Sequence, residues 1–486
     1  MIGAESMEHF DKKAIDLRVK EGLPFNHHWH NQFHLEMPFG LINDPNGLTK
    51  LGDTYHIFFQ WNPLGVVHKN KCWAHTTTKD FINYTTPELS LWPTDVHDKD
   101  GCYSGCGLTE NGTVRVLYTC NSKDPNNIRT SAQRFGTLLG DGQVEKDDIV
   151  VPDNPEGYTA HFRDPNVFTV DSVRHFVIGV QRKNETGTAL IYREAGEGEQ
   201  WELLGELKTN YKKFGYMWEC PGLVKFSDDY WALIFSPQGL EEEEFQYQNI
   251  FQAGYIAGRL SLDSLEMLHG KFEELDKGFD FYAPQVFNGP DKNILLGWMG
   301  MPDKDDEYPT GDEGWKFSLT MPRVLTLKQG HVFSQPAEEL KALRKGSIDI
   351  NESSATAIRN QLSAGSESDL NFKLGNAKTI SLTLKYGEEQ ADITFDKATQ
   401  AVTIDRTGMK LGGRGKRRFK VYADKTFNVQ LFVDRTAIEV FFQDGEQVAS
   451  FFVFPKEDIK PELIISSDAP VEVKGKIYEL GAFNFA

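Results

Sequence analysis

The stretch INDPNGLTKLGDTYHIFFQ, residues 42–60, has the pattern of a β-hairpin. It opens on an acid and a proline, Asp44-Pro45, continues through a short apolar run, turns at Gly52-Asp53 and ends in a run rich in aromatic residues. Glycine and aspartate between two apolar runs favour a tight turn, and aromatic and β-branched residues favour strands. This stretch therefore predicts two paired strands.

Four later stretches follow the same plan, and they cover residues 103–120, 162–180, 218–236 and 282–299. The anchor residues of the five stretches are Asp44, Gly105, Asp164, Glu219 and Gln285, and the intervals between them are 61, 59, 55 and 66 residues. All-β units that return at a nearly regular period are typical of radial architectures. The sequence predicts an all-β fold that begins with a five-bladed β-propeller. A large sandwich or barrel with unrelated hairpins is the alternative.

A proline lies one or two residues after each of the acids Asp44, Asp164 and Glu219. Proline cannot donate a hydrogen bond to a neighbouring strand, so it is confined to strand edges and strand starts. The innermost strand of a propeller blade has such a free edge along the central axis. We therefore expect the three acids to converge on one funnel at that axis.

The sequence pattern changes after residue 335. PAEELKALRK, residues 336–345, predicts a short helix, and alternating strands with turns such as Asp444-Gly445 follow. The predicted organisation is a propeller catalytic domain over residues 1–335, a linker helix over 336–350 and a C-terminal β-sandwich over 351–486. A chain of 486 residues exceeds the size of a single ordinary core, which also favours two domains.

Composition excludes several classes of function. The net charge of −19 disfavours nucleic acid and anionic membranes as partners, because both require a positive surface. Five cysteines without paired CxxC spacing support neither a disulfide framework nor a zinc site, and free thiols indicate the cytoplasm. The N-terminal stretch, residues 1–13, is polar and does not have the pattern of a signal peptide.

Three carboxylates in one funnel have three interpretations. In glycoside hydrolysis with retention, one carboxylate is the nucleophile and a second is the acid/base. Carboxylate oxygens could instead hold Ca²⁺, although nothing in the sequence resembles an EF-hand loop. Asp-Pro and Asn-Gly pairs could also serve only as turns. Because three such motifs lie in register, we favour a catalytic role.

Several ordered motifs then carry a resemblance to a known family. HLEMPFGLINDPNGL, FFQWNP, CWAH, YSG, FRDP, WECP, DFYAPQ and GWKFSLTMPRVL, spread over residues 27–330, look like the motif series of glycoside hydrolase family 32. This is the family of invertases, fructanases and sucrose-6-phosphate hydrolases. LFVDRTAIEVFFQDGE also resembles the sandwich domain of that family. The resemblance implies a five-bladed propeller followed by a β-sandwich, in agreement with the repeat.

The resemblance also implies a function and roles for the acids. The chain would be a retaining β-fructofuranosidase that needs no cofactor and no metal. Asp44 would attack the fructosyl anomeric carbon. Glu219 would protonate the leaving oxygen and then deprotonate water. Asp164 would hold fructose hydroxyl groups and stabilise the transition state.

Further residues match substrate-binding positions of the family. They are Leu41, Ile42, Asn43, Gln60, Trp73, Tyr103, Ser104 and Arg163. Three positions depart from the pattern often found in relatives: Leu41 and His68 replace tryptophans, and Ala74 replaces a glycine. The His-rich stretch NHHWH, residues 26–30, is interpreted as packing and not as a metal site, because adjacent histidines on a strand point to opposite faces.

The expected substrate is a small carbohydrate. A cytoplasmic enzyme of this family would meet sucrose 6-phosphate, and Lys69 and Lys71 are candidates to reach its phosphate, although both also fit solvated lysines. Two alternatives remain open. One is the same chemistry on sucrose or short fructans, and the other is a propeller that binds fructosides without turnover.

Overall fold

The computed structural model describes residues 10–196 and 200–486. The first nine residues of the polar N-terminal stretch, on which the signal-peptide prediction rests, lie outside this range. In the described part the only α-helix is α1 (Lys12–Glu21), whose first turn is capped by the Asp11 carboxylate through a hydrogen bond from the Ala14 amide. Nearly all the remaining regular structure is β, as predicted.

Five sheets make up the N-terminal part of the fold. The strands of the first are β1 (Gly40–Leu51), β2 (Thr54–Asn62), β3 (Cys72–Thr78), β4 (Asn83–Tyr84) and β5 (Glu88–Leu91). Those of the second are β6 (Cys102–Glu110), β7 (Thr113–Lys123), β8 (Arg129–Leu138) and β9 (Val144–Val151). Those of the third are β10 (Tyr158–Val170), β11 (Val173–Arg182), β12 (Gly187–Glu194) and β13 (Trp201–Glu206).

The fourth and fifth sheets follow in chain order. The strands of the fourth are β14 (Met217–Lys225), β15 (Trp231–Gln238), β16 (Gly254–Ser261), β17 (Glu266–His269) and β18 (Glu273–Glu274). The next strands are β19 (Tyr282–Val286), β20 (Asn293–Met299), β21 (Trp315–Lys316), β22 (Ser318–Leu319), β23 (Arg323–Lys328) and β24 (His331–Pro336). All of these except β21 belong to the fifth sheet, whereas β21 pairs in parallel with β1.

The arrangement is propeller-like. In four of the five sheets, four antiparallel strands lie side by side in chain order. The series begins with the first strand of the sheet, as in a propeller blade. The first sheet is larger, because β21 and a late strand extend it on both sides. Apolar side chains pack between neighbouring sheets; one cluster, for example, joins the third sheet to the fourth.

The first strand of every sheet contains the same irregularity. Between two successive paired positions, two residues face a single residue of the next strand, and this occurs at residues 43–44, 103–104, 164–165, 220–221 and 283–284. This two-against-one count defines a β-bulge, which bends the strand and redirects its side chains. The motifs of the sequence repeat therefore coincide with five equivalent bulges.

The C-terminal part is a second all-β unit, consistent with the predicted sandwich. Its strands are β25 (Arg344–Gln361), β26 (Ser366–Lys373), β27 (Thr379–Tyr386), β28 (Glu389–Asp396), β29 (Ala401–Asp405), β30 (Lys416–Lys420), β31 (Thr426–Val433), β32 (Ala437–Phe442), β33 (Gln447–Phe452) and β34 (Glu462–Leu480). The first part of β34 pairs with β27 and its second part with β26, so this long strand joins the two halves of one ten-stranded sheet. A last strand, β35 (Asn484–Phe485), returns to the first sheet and pairs with β4.

The connection between the two parts differs from the predicted linker helix over residues 336–350. A 3-10 helix covers Glu338–Leu343, and β25 begins directly at Arg344. Leu340 and Leu343, three residues apart, are both buried, and a spacing of three suits the tighter 3-10 turn. Three further 3-10 helices lie at Asp305–Glu307, Pro309–Glu313 and Gln443–Gly445. Within the described ranges, no helix combines the length and the apolar character that crossing a membrane requires.

A buried network of charges joins the two parts. Arg323 on β23 donates hydrogen bonds to Asp276 at 3.0 Å and to Glu439 on β32 at 2.5 Å, and its side chain has no exposed surface. His34 contacts Glu439 at 3.0 Å and Asp434 at 2.8 Å. Burial lowers the pKa of His34, but the hydrogen bonds to these two carboxylates outweigh it and raise the pKa to about 9. The histidine is therefore charged at neutral pH, and every charge in the network has a partner.

We expect Arg323→Met to reduce the free energy of unfolding by about 3–5 kcal/mol, because it leaves buried carboxylates without their cation. The matched control is Arg359→Met, which breaks an exposed pair between Arg359 and Glu462 and should cost less than about 1 kcal/mol. Urea unfolding followed by tryptophan fluorescence measures both. Equal losses for the two variants would contradict a special role of the buried network.

Candidate active site

The bulges bring the three predicted acids together, but not at identical positions. Asp44 is the second residue of its bulge, Asp164 is the first, and Glu219 immediately precedes the bulge of β14. The three acids thus occupy three successive positions relative to equivalent bulges: the second residue, the first residue and the residue before it. Because the side chains leave the backbone at different points, they can approach one centre from different heights.

Backbone strain accompanies this geometry. Asp164, Cys220 and Ala283 each occupy the first position of a bulge, with φ of 69°, 48° and 48°. This left-handed conformation costs a non-glycine residue about 1–2 kcal/mol. This strained conformation occurs at the same bulge position in three neighbouring sheets. It fixes the direction of the adjacent side chains.

A cavity of about 220 Å³ lies at these bulges. It is lined by eight of the predicted site residues: Asn43, Asp44, Gln60, Tyr103, Ser104, Arg163, Asp164 and Glu219. Lys71, a candidate phosphate contact from the sequence, is also part of the lining. Six further residues complete it: His68, Gln238, Tyr282, Trp298, Pro302 and Asp303. The lining combines carboxylates, amides, hydroxyl groups and an indole ring, a set suited to a polar ligand with an apolar face.

Three predicted substrate-binding residues do not line the cavity. Leu41 and Ile42 are fully buried, and their side chains belong to an apolar core cluster. Trp73 is also fully buried, and its indole nitrogen donates a hydrogen bond to the Tyr103 carbonyl at 3.2 Å. These residues support the cavity wall and do not face a ligand.

Asp44 is held from three sides. Ser104 donates a hydrogen bond to its Oδ2 at 2.6 Å, and the Asn43 amide donates to its Oδ1 at 3.1 Å. The thiol of Cys220 lies 3.5 Å from Oδ2. Donors that surround a carboxylate in this way fix its orientation.

Asp164 is the most buried of the three acids, with 6% of its surface exposed. Its Oδ2 accepts a hydrogen bond from the Cys220 amide at 2.9 Å, and its own amide donates to Thr119 Oγ1 at 3.0 Å. Burial raises the pKa of Asp164 to about 7; Arg163 opposes the rise, and the charges of Glu219 and Asp44 add to it. The surroundings of this carboxyl therefore favour its protonated form more than water does.

Glu219 is bound by two donors from neighbouring sheets. Arg163 donates to Oε1 from Nε at 3.0 Å and from Nη2 at 2.6 Å, while the Tyr282 hydroxyl donates to Oε2 at 2.5 Å. Burial raises the pKa of the Tyr282 hydroxyl well above its usual value, and the charge of Glu219 adds to this. Tyr282 thus remains a neutral donor at any ordinary pH.

The position of Tyr282 was readable in the repeat, although its role was missed. It immediately precedes the bulge of β19, as Glu219 precedes the bulge of β14. The residue that opens the fifth repeat therefore faces the same cavity as the acid of the fourth. The thiol of Cys220 lies within 3.6 Å of carboxylate oxygens of both Asp44 and Asp164. Burial raises its pKa far above the usual thiol value, so it remains protonated.

Comparison with known proteins decides the family. Residues 34–336 match the Glycosyl hydrolases family 32 N-terminal domain, and residues 339–475 match the Glycosyl hydrolases family 32 C terminal. The chain belongs to glycosyl hydrolase family 32. It is therefore a glycoside hydrolase, and its substrate is a small carbohydrate.

Relatives and solved structures from several organisms resemble this family 32 enzyme over most of its length. The sucrose-6-phosphate hydrolase of Bacillus subtilis (strain 168) is 37% identical over 90% of this chain and 92% of the relative. The sucrose-6-phosphate hydrolase of Klebsiella pneumoniae is 35% identical over 90% of this chain and 91% of the relative. Among structures, sucrose-6-phosphate hydrolase from Lactobacillus gasseri superposes with a TM-score of 0.88, 28% identity and coverage of 98% and 97%. A Bombyx mori GH32 beta-fructofuranosidase mutant in complex with sucrose superposes with a TM-score of 0.84 and 27% identity. The match covers 98% of this chain and 99% of that structure.

We expect Tyr282→Phe to lower kcat/KM for glycoside hydrolysis by about 10- to 100-fold, the equivalent of about 1.5–3 kcal/mol for a hydrogen bond to a charged group. The control is Tyr255→Phe, which removes a similar hydrogen bond from a buried tyrosine to Glu273 outside the cavity. It should change kcat/KM by less than about twofold. If both variants behave alike, the contact between Tyr282 and Glu219 has no part in the reaction.

Proposed function

We propose that this family 32 enzyme is a retaining β-fructofuranosidase that hydrolyses the fructosyl bond of sucrose 6-phosphate and sucrose. The observation that carries the proposal is the meeting of Asp44 and Glu219, 175 residues apart in the chain, on one cavity. Cys220 connects them, since it follows Glu219 directly and its thiol contacts Asp44. The names of two relatives support sucrose 6-phosphate as a substrate, and a solved relative in complex with sucrose supports sucrose.

The reaction would proceed in two displacements. Asp44 attacks the fructosyl anomeric carbon as the bond to the leaving oxygen breaks, and the proton of Glu219 passes to that oxygen. A covalent fructosyl ester on Asp44 remains. Glu219, now a carboxylate, removes a proton from water, and the resulting hydroxide displaces Asp44 and releases fructose.

The contacts of the site fit these roles. Hydrogen bonds from Ser104 and Asn43 hold the Asp44 carboxylate in place for attack. Arg163 and Tyr282 both donate to Glu219, the arrangement that the carboxylate form of the second displacement requires. Asp164 is proposed to accept hydrogen bonds from fructose hydroxyl groups and to stabilise positive charge that develops on the ring.

Lys71 is proposed to select the phosphorylated substrate. Its ammonium lies 2.6 Å from Asn43 Oδ1 and 2.9 Å from His68 Nδ1, and both Lys71 and His68 line the cavity. Lys69, the other candidate, is exposed and is not part of the lining. A lysine at the cavity can attract a phosphate on the leaving sugar against the negative charge of the whole chain.

Two features of the fold are also proposed here. We propose that all five N-terminal sheets are blades, because the first strands contact one another in a closed series: β1 with β6, β6 with β10, β10 with β14, β14 with β19, and β19 with β1. The division into a propeller and a sandwich would then fall near residue 336, where β24 ends. A reducing intracellular location is supported by the five cysteines, which are all free thiols.

We expect Glu219→Gln to lower kcat on sucrose 6-phosphate by about 10²- to 10⁴-fold, because an acid/base group is removed, and Asp44→Asn to lower it at least as much. The control is Glu110→Gln, at the far end of β6 from its bulge, which should retain full activity. NMR of the first product should show β-fructofuranose. Initial release of the α-anomer would overturn the assigned pair, and binding without any release by the wild type would identify a non-catalytic binder.

We expect the wild type to prefer sucrose 6-phosphate over sucrose in kcat/KM, and Lys71→Met to reduce that preference by at least about tenfold, or ~1.4 kcal/mol. Since Lys71 also contacts Asn43, kcat/KM is expected to fall for both substrates. The informative quantity is the ratio of kcat/KM for sucrose 6-phosphate to kcat/KM for sucrose. Lys69→Met is the control and should leave the ratio unchanged. Equal kcat/KM values for the two substrates in the wild type would remove the phosphate proposal and leave the hydrolase intact.

A further inference from the structure

The segment that precedes β19 links the sandwich to the candidate active site. Phe279 belongs to the apolar cluster of the sandwich, whose other buried members in the described chain all come from residue 350 or later. Tyr282, three residues further on, donates the hydrogen bond to Glu219. This short segment therefore spans the distance between the sandwich core and the proposed acid/base. The proposed reaction assigns no role to Asp280, which lies between the two ends.

Asp280 is a buried carboxylate, 1% exposed, that accepts hydrogen bonds from two parts of the fold. From the sandwich, Arg406 Nη1 donates to its Oδ2 at 3.1 Å, and the Phe452 amide donates to the same oxygen at 2.8 Å. From the segment before β21, the Tyr308 hydroxyl donates to Oδ1. Burial raises the pKa of Tyr308 well above its usual value, and the charge of Asp280 adds to this, so the tyrosine remains a neutral donor. Charge-assisted hydrogen bonds of this kind are strong, and together they fix the position of the carboxylate.

The regular pairing of β19 is interrupted directly after Tyr282. The next paired residue of the strand is Gln285, because the bulge at residues 283–284 intervenes. Ala283 within the bulge also has a left-handed backbone, with φ of 48°. A bulge disrupts the ladder of hydrogen bonds that holds a regular strand in place. The bonds to Asp280 supply a fixed point on the other side of Tyr282.

The ring of Tyr308 makes a second connection to the cavity. It packs against Phe452 of the sandwich with ring centroids 5.7 Å apart, and against Phe317 at 4.3 Å. Phe317 in turn lies edge-to-face on Trp298 at 5.0 Å, and Trp298 lines the cavity. Tyr308 thus makes two separable kinds of contact, since its ring supports the cavity wall and its hydroxyl holds Asp280. Replacement of Tyr308 by phenylalanine removes only the second kind.

We propose that Asp280, Tyr308 and Arg406 are positioning residues for the hydrolysis reaction. They anchor the segment before β19 to the sandwich, so that the Tyr282 hydroxyl stays within hydrogen-bond distance of Glu219. None of the three belongs to the lining of the cavity, so they act through Tyr282. The sandwich then contributes to the reaction itself and not only to stability. This inference rests on the acid/base role proposed for Glu219.

A double-mutant cycle tests the route through Tyr282. We expect Tyr308→Phe to lower kcat on sucrose 6-phosphate by about 3- to 10-fold with KM nearly unchanged, because Glu219 is held less well while the cavity wall is kept. In a Tyr282→Phe background, which already lacks the hydrogen bond to Glu219, the same change should lower kcat by less than about twofold. The matched control is Tyr255→Phe, which removes a buried hydrogen bond to Glu273 and should have the same small effect in both backgrounds.

Variants of Arg406 test the connection from the side of the sandwich. Arg406→Met should lower kcat by at least about tenfold, and Arg406→Lys, which keeps a cation beside Asp280, should lower it less. The matched control is Arg344→Met, which separates a partly buried arginine from Glu367 within the sandwich and should keep kcat within about twofold of the wild type. Thermal melting followed by circular dichroism shows which variants are folded at the assay temperature. Should Arg406→Met fail to fold, the cycle with Tyr308→Phe decides.

The positioning role is overturned if Tyr308→Phe lowers kcat by the same factor with and without Tyr282→Phe, which is the result of a general loss of stability. Full activity of Tyr308→Phe would also overturn it, as would a loss for Arg344→Met equal to that for Arg406→Met. The proposed function is tested separately with Glu219→Gln. Full activity of that variant would overturn both proposals, whereas an inactive Glu219→Gln beside a fully active Tyr308→Phe would overturn the positioning role alone.

Discussion

The geometry of the candidate active site depends on a constraint at the first strand of each N-terminal sheet. These strands pair fully on one side only, and each is interrupted by a bulge in which two residues face one. The bulge turns side chains away from the sheet plane toward the free edge. Because the same interruption occurs in every sheet, residues far apart in sequence face one cavity. The carboxylates, the hydroxyl of Ser104 and the phenol of Tyr282 all reach the site by this route.

Placing three carboxylates in one cavity creates repulsion that the surroundings must offset. Arg163 supplies the compensating charge, and backbone and side-chain donors occupy the remaining oxygens. Burial is the main cause of the raised pKa of Asp164, and repulsion from Glu219 and Asp44 adds to it. Charge, burial and backbone conformation are thus adjusted together, as is typical of sites where carboxylates carry out acid, base and nucleophilic steps.

The repeated hairpins and the convergence of the three acids were predictable from the sequence, because the spacing of the motifs reveals the repeat. The period of the repeat located the hairpins, and the prolines located the free edges. The direction of a side chain within an irregular strand leaves no such pattern, so Leu41, Ile42 and Trp73 were placed in the site although they face the core. For the same reason Lys69 and Lys71 could not be separated. The charge network around Arg323 was also missed, since its members come from four distant segments.

The short strand β35 has a consequence for the order in which the molecule can assemble. It pairs with β4, so residues 484–485 complete the first sheet, which is otherwise built from residues 40–91 together with β21. During synthesis on the ribosome, the β4 edge of that sheet emerges about 400 residues before the strand that covers it. An uncovered edge can pair with other nascent chains. The open edge of β4 can therefore be protected only after all ten strands β25–β34 have been synthesised.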